Sequence, residues 1–117
     1  MRKNLDNFAY IHHISDAIGK ITEYMQSHTQ AQYIDSEWDQ AALMRHLEII
    51  GEAASRLELE FRAKHSEVEW RKIIDLRNII IHDYMEADIE VIWSILTNDI
   101  PPLKEKITTI LLSSSTQ

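Results

Sequence analysis

Arg77, Asn78, His82 and Tyr84 place a fixed cation, an amide, a titratable imidazole and a phenol within one run of eight residues. Histidine is the side chain whose ordinary pKa lies near neutrality, and arginine's planar fork stays charged while matching two phosphate oxygens. These are the groups required to cleave RNA by internal attack of a 2′-hydroxyl: a proton acceptor or donor, and a cation for the charge of the phosphorane. The route needs neither metal nor cofactor. On an ideal helix Arg77 and Tyr84 lie about 20° apart, and Asn78 and His82 about 40° apart, so the four line two adjacent stripes. Arg77 and His82 diverge by about 140°, so they meet on one substrate only if the helix ends near His82 or a second copy of the chain contributes. The structural alternative is a surface pair of Arg77 with Asp75 or Asp83, with His82 capping a helix end and Tyr84 covering the core.

The elements that must position these residues are helical. From Leu5 the apolar positions Phe8, Ile11, Ile14, Ile18, Ile21 and Met25 recur in steps of three and four, predicting a first helix over 4–27. Polar residues Ser27 to Gln32 interrupt the pattern, and Asp35 or Ser36 begins a second helix, with Glu37 and Asp39 in its first turn. Its stripe is Leu43, Leu47, Ile50, Ala54 and Leu57. Gly51 inside it costs about 1 kcal/mol against alanine, which predicts a close helix crossing there. Glu58 to His65 reads as the tail of that helix or as a loop. Ser66 to Glu69 reads as a capping box opening a third helix that carries Trp70, Ile73, Ile74, Arg77, Ile80, Ile81 and Tyr84. A break is predicted between Asp83 and Ala87, with Asp88 capping a helix that bears Ile89, Ile92, Trp93 and Leu96. Pro101 predicts a kink or stop at Ile100, with Leu103, Ile107, Ile110 and Leu111 continuing the stripe. The expected fold is all-α, an antiparallel bundle of four to five helices forming one domain over residues 1–112, with a frayed tail at 113–117.

Composition bounds the function. The two glycines and two prolines are too few to punctuate an all-β chain of 117 residues. The lack of cysteine excludes a disulfide framework, a thiolate metal site and a cysteine nucleophile, and fits a reducing compartment. No apolar stretch has signal-peptide or membrane-spanning character, so the expected location is cytoplasmic, with no membrane partner. The net charge of −7 argues against broad electrostatic capture of nucleic acid, so any contact with RNA must be local or supplied by an assembly.

Three segments, Leu47-Glu48-Ile49-Ile50-Gly51-Glu52-Ala53, Trp70-Arg71-Lys72-Ile73-Ile74 and Arg77 to Tyr84, together resemble the HepT-like branch of the HEPN superfamily in order and spacing. Val91-Ile92-Trp93 and Ile100-Pro101-Pro102-Leu103 extend the resemblance over nearly the whole chain. It implies a HEPN-like fold and the toxin of a type VII toxin–antitoxin system: an endoribonuclease that forms homodimers, with the signatures of two subunits facing one cleft. By the same matching Arg77 and His82 are the implied catalytic pair, supported by Asn78. The implied partner, besides RNA, is an MNT-type nucleotidyltransferase antitoxin, which transfers AMP from ATP to the signature tyrosine, here Tyr84.

Glu52, next to Gly51, either orients Arg77 by a charged hydrogen bond or faces solvent. The six histidines form neither Glu-x-x-His pairs nor a His-Glu-x-x-His helix, so no metal site is expected. His12 and His13 face different sides of the first helix, and His46 is expected to be a satisfied structural residue. Trp38, Trp70 and Trp93 read as core or interface anchors. Arg56, Arg62, Lys64, Arg71 and Lys72 are candidates for a local rim that guides RNA, interleaved with acids. The competing functional reading is a HEPN module that binds nucleotide or protein without cleaving it.

Overall fold

The computed structural model describes residues 2–82 and 89–115, with side chains for 6–78 and 89–113. Among the described residues every regular element is helical. Helix α1 (Arg2–Ser27) buries Ile11, Ile14, Ile18 and Ile21 on the stripe their spacing predicts. It packs against α3 (Glu37–Ser55) and α7 (Ile100–Ser115). Three hydrogen bonds fix the α1–α3 pair as antiparallel. At one end the Tyr24 hydroxyl donates to Asp39 (2.8 Å), and at the other buried Asn7 donates to Glu58 (2.8 Å) and accepts from its backbone N–H (3.1 Å).

The polar stretch after α1 is not a plain loop. Thr29 and Gln32 form a reciprocal capping box (3.2 and 2.8 Å) that opens a short helix, α2 (Gln30–Asp35). That helix buries Tyr33, whose hydroxyl donates to the Ile89 carbonyl (2.8 Å) and whose ring packs on Trp93. Ser36 then caps α3 through Asp39 N–H (3.1 Å), as its sequence predicts. Leu43, Leu47, Ile50, Ala54 and Leu57 all face the core.

Glu58 to His65 is neither a tail of α3 nor a loop. It holds a separate short helix, α4 (Leu59–Lys64), that brings Phe61 edge-on to Phe8 (5.6 Å, 89°). Helix α5 (Trp70–His82) starts beyond the expected capping box, because Ser66 lies in a turn and Val68 and Trp70 are both buried. The Trp70 indole donates to the His65 carbonyl (3.0 Å), so burial of this aromatic sets the entry of α5 ahead of the local cap. The expected break at 83–87 and the Asp88 cap lie outside the described residues.

Helix α6 (Ile89–Ser94) does not stop at Pro101 but passes through a π-helical turn (Ile95–Asp99) into α7, with Ile100 N–H donating to the Ile95 carbonyl. Two consecutive prolines lack N–H donors and their rings crowd the carbonyls one turn back, so a wider turn accommodates them. Helix α7 continues to Ser115, beyond the expected start of the tail. Trp70 is buried and Trp93 half-buried, but Trp38 is 87% exposed and anchors no core.

Candidate active site around Arg77

Helix α5 crosses α3 closely at Gly51. A Cβ built there would lie 3.0 Å from both Cβ and N of Arg77 and 3.1 Å from the Ile73 carbonyl oxygen. Even a methyl there requires the α5 backbone to give by a few tenths of an ångström, which accounts for a glycine in the interior of α3. The close crossing brings the residues just after Gly51 under the Arg77 side chain. Arg77 Nη1 donates to Glu52 Oε2 (3.0 Å) and to Ser55 Oγ (3.1 Å), while Ser55 Oγ donates to the Glu52 carbonyl (2.7 Å).

The second carboxylate oxygen is also used: Glu52 Oε1 accepts from Arg56 Nε (3.2 Å) and lies 3.1 Å from its Nη2. Glu52 thus stands between two guanidiniums, and the hydrogen bonds from Arg77 and then Arg56 lower its pKa below the ordinary glutamate value. Arg56 is raised above its usual range by the Tyr10 phenol and by Glu52. The guanidinium is anchored while the Arg77 side chain remains 30% exposed. A cation held in this way loses little rotamer freedom when it meets a phosphate.

Of the residues singled out in the sequence, Arg77 and Glu52 are brought into direct contact, and Asn78 is exposed one residue beyond Arg77. His82 is the last residue of α5, and helical backbone runs unbroken from Arg77 to it. The His82 side chain and all of Tyr84 lie outside the described residues. Ser55 was missed, although its place three residues after Glu52 puts it on the same helical face.

The supposed basic rim divides. Arg62 folds back to cap α3, donating to the Ser55 and Leu57 carbonyls (3.1 and 3.0 Å), and Lys72 pairs with Asp99 (3.6 Å). Arg56 belongs to the Glu52 pair. His46 is not the satisfied histidine expected: among the described residues its buried Nδ1 has no partner. Burial, Lys20 and Arg45 lower its pKa. Among the described residues no group of His, Asp or Glu is placed to hold a metal ion. No described helix is long and apolar enough to cross a membrane.

The family model described as "Ribonuclease HepT-like" matches residues 14–110. A Methanocaldococcus jannaschii protein named as a "gamma-glutamylcyclotransferase and putative RNase" is 37% identical over 95% of this chain, which spans only 49% of that relative. Two relatives of similar size are a "putative RNase" of the same organism, 31% identical over 85% of this chain and 91% of its own, and a "probable ribonuclease HepT" of Thermococcus cleftensis, 35% identical over 83% and 88%. No solved structure matches the chain. With a helical bundle that puts Arg77 against Glu52 at the Gly51 crossing, and with the family model matched from Ile14 to Ile110, the chain belongs to the HepT-like ribonuclease family.

Proposed function

We propose that this protein is a metal-independent endoribonuclease in which Arg77 and His82 act on a scissile RNA phosphate. The observation that carries the reading is the Arg77 guanidinium, gripped by Glu52 and Ser55 on a side chain that remains 30% exposed. The 2′-oxygen forms a bond to phosphorus, the bond to the 5′-oxygen breaks, and the products are a 2′,3′-cyclic phosphate and a 5′-hydroxyl. One proton leaves the 2′-hydroxyl and one arrives at the 5′-oxygen; His82 serves one of these transfers, while Arg77 balances the charge on the phosphorane. On an ideal helix Arg77 and His82 lie about 140° apart, and a shared cleft, in which the signature of a second copy completes the proton relay, brings them to one phosphate.

Membership of the family supports two further parts of the reading: the protein acts as the toxin of a type VII toxin–antitoxin system, and an MNT-type nucleotidyltransferase antitoxin neutralises it. The antitoxin transfers AMP from ATP to the Tyr84 oxygen, releasing pyrophosphate. The attached phosphate then competes for Arg77 and fills the cleft. Recombinant protein incubated with RNA in excess EDTA tests the core of the reading. Cyclic-phosphate or 3′-phosphate ends, absent with His82→Ala, are the expected result; activity that requires added magnesium would overturn it.

A further inference from the structure

On the other side of Glu52 from Arg77, α1 and α3 enclose a cleft of about 300 Å³. Apolar Ile49 and Ala53 line it together with Tyr10, His13, Arg45 and Arg56, and the Glu52 carboxylate stands at its edge toward Arg77. The Tyr10 and His13 rings meet edge to face, with centroids 6.1 Å apart. The volume is at the lower end of the range for small-ligand clefts, about 300–1,000 Å³, which suits one nucleotide better than a larger ligand.

The cleft combines the parts that single-stranded RNA sites use: an aromatic ring on which a base can stack, apolar side chains, and guanidiniums for phosphate. Both arginines have a carboxylate behind them, Glu48 for Arg45 and Glu52 for Arg56. Their side chains are nevertheless 67% and 58% exposed, and each guanidinium has five donors, so the pairing orients them without using them up. In a chain of net charge −7 such a local pair of cations is where a phosphate can be held. The link to the candidate active site is direct. One Glu52 carboxylate accepts from Arg77 through one oxygen and from Arg56 through the other, so the cleft and the reacting position stand a single carboxylate apart.

We propose that the α1–α3 cleft is an RNA subsite that binds the nucleotide neighbouring the scissile phosphate, its base against Tyr10 and its phosphate on Arg45 and Arg56. Its place beside the reacting phosphate rests on the ribonuclease reading; its capacity to bind single-stranded RNA does not. The test is binding of a labelled 2′-O-methyl oligoribonucleotide, which cannot be cleaved by internal attack. Tyr10→Ala and Arg45→Gln should each weaken binding about tenfold, the scale of one lost base stack or charged contact, and raise KM for cleavable RNA. Tyr10→Phe should retain binding, and Lys104→Gln, on α7, should bind as wild type. Arg45 is exposed, so its variant keeps the test valid even if Tyr10→Ala unfolds.

Wild-type affinity in both Tyr10→Ala and Arg45→Gln overturns the subsite, whether or not the protein cleaves RNA. Tyr10- and Arg45-dependent binding by a protein that cleaves nothing upholds the subsite and removes the ribonuclease reading. A change in sedimenting mass with unchanged RNA affinity assigns the cleft to protein contact and overturns the proposal.

Discussion

Glu52 places Arg77 through one oxygen and Arg56 through the other, and the direction of its pKa shift has a consequence for pH. A carboxyl whose folded pKa is depressed contributes stability above its unfolded pKa and loses it as pH falls through the folded one. The unfolded reference is 4.5, so this contribution is intact at neutrality and fades only below pH 4.5. The acid limb of the melting temperature should therefore flatten in Glu52→Gln, measured by thermal melts from neutral pH to pH 3. The group is 43% exposed, so solvent screens the pair and the difference should be small. Cleavage should respond far more: with Arg77 released from its anchor, Glu52→Ala should lose activity on the order of a hundredfold at neutral pH, the cost of misplacing a catalytic group by about an ångström. An activity within twofold of wild type would mean that RNA itself positions Arg77.

The crossing of α3 and α5 is where helix packing and site geometry are the same problem. Gly51→Ala gains about 1 kcal/mol of helix propensity but inserts a methyl against the Arg77 backbone, an overpacking that costs about 1–3 kcal/mol. The net expectation is a lower melting temperature with a larger loss of RNA cleavage, because the displaced element carries Arg77. A more stable, fully active Gly51→Ala would indicate that α5 shifts without penalty. Leu47, fully buried on the same helix, sets the comparison: Leu47→Ala should cost about 2–5 kcal/mol as a core truncation. His82→Ala should abolish cleavage with little change in the melt. Equal thermal losses in the two would return His82 to a structural role.

For the whole molecule the expectations concern copies and partners. A two-fold axis near α5 would bring Arg77 of one copy toward His82 of the other, and sedimentation at micromolar concentration should report a dimer. A monomer that still cleaves RNA would end the shared-cleft mechanism. With an MNT-type nucleotidyltransferase, ATP and magnesium, the intact mass should rise by that of AMP and cleavage should cease. Persistence of the mass gain in Tyr84→Phe would locate the modification elsewhere.

Periodicity alone determined the long helices α1 and α3 and their buried stripes, because a residue repeat of three to four is a property of the chain itself. It also determined that Gly51 marks a close crossing, since an interior glycine needs a reason. Local signals could have yielded α2 as well: the Thr29–Gln32 capping box stands in the sequence, but six residues are too few to show a period. What the tertiary structure decided is what lies across each crossing. The start of α5 follows the burial of Val68 and Trp70 over a capping pattern at Ser66. The π-turn before α7 accommodates two prolines that read as a kink or a stop, because Leu96 within it and Ile92, Ile100 and Leu103 on either side all face the core and hold the chain on one path. The role of Glu52 was open between solvent and Arg77 until the packing of α5 on α3 closed the distance to 3.0 Å, since a pairing across 25 positions has no local signature.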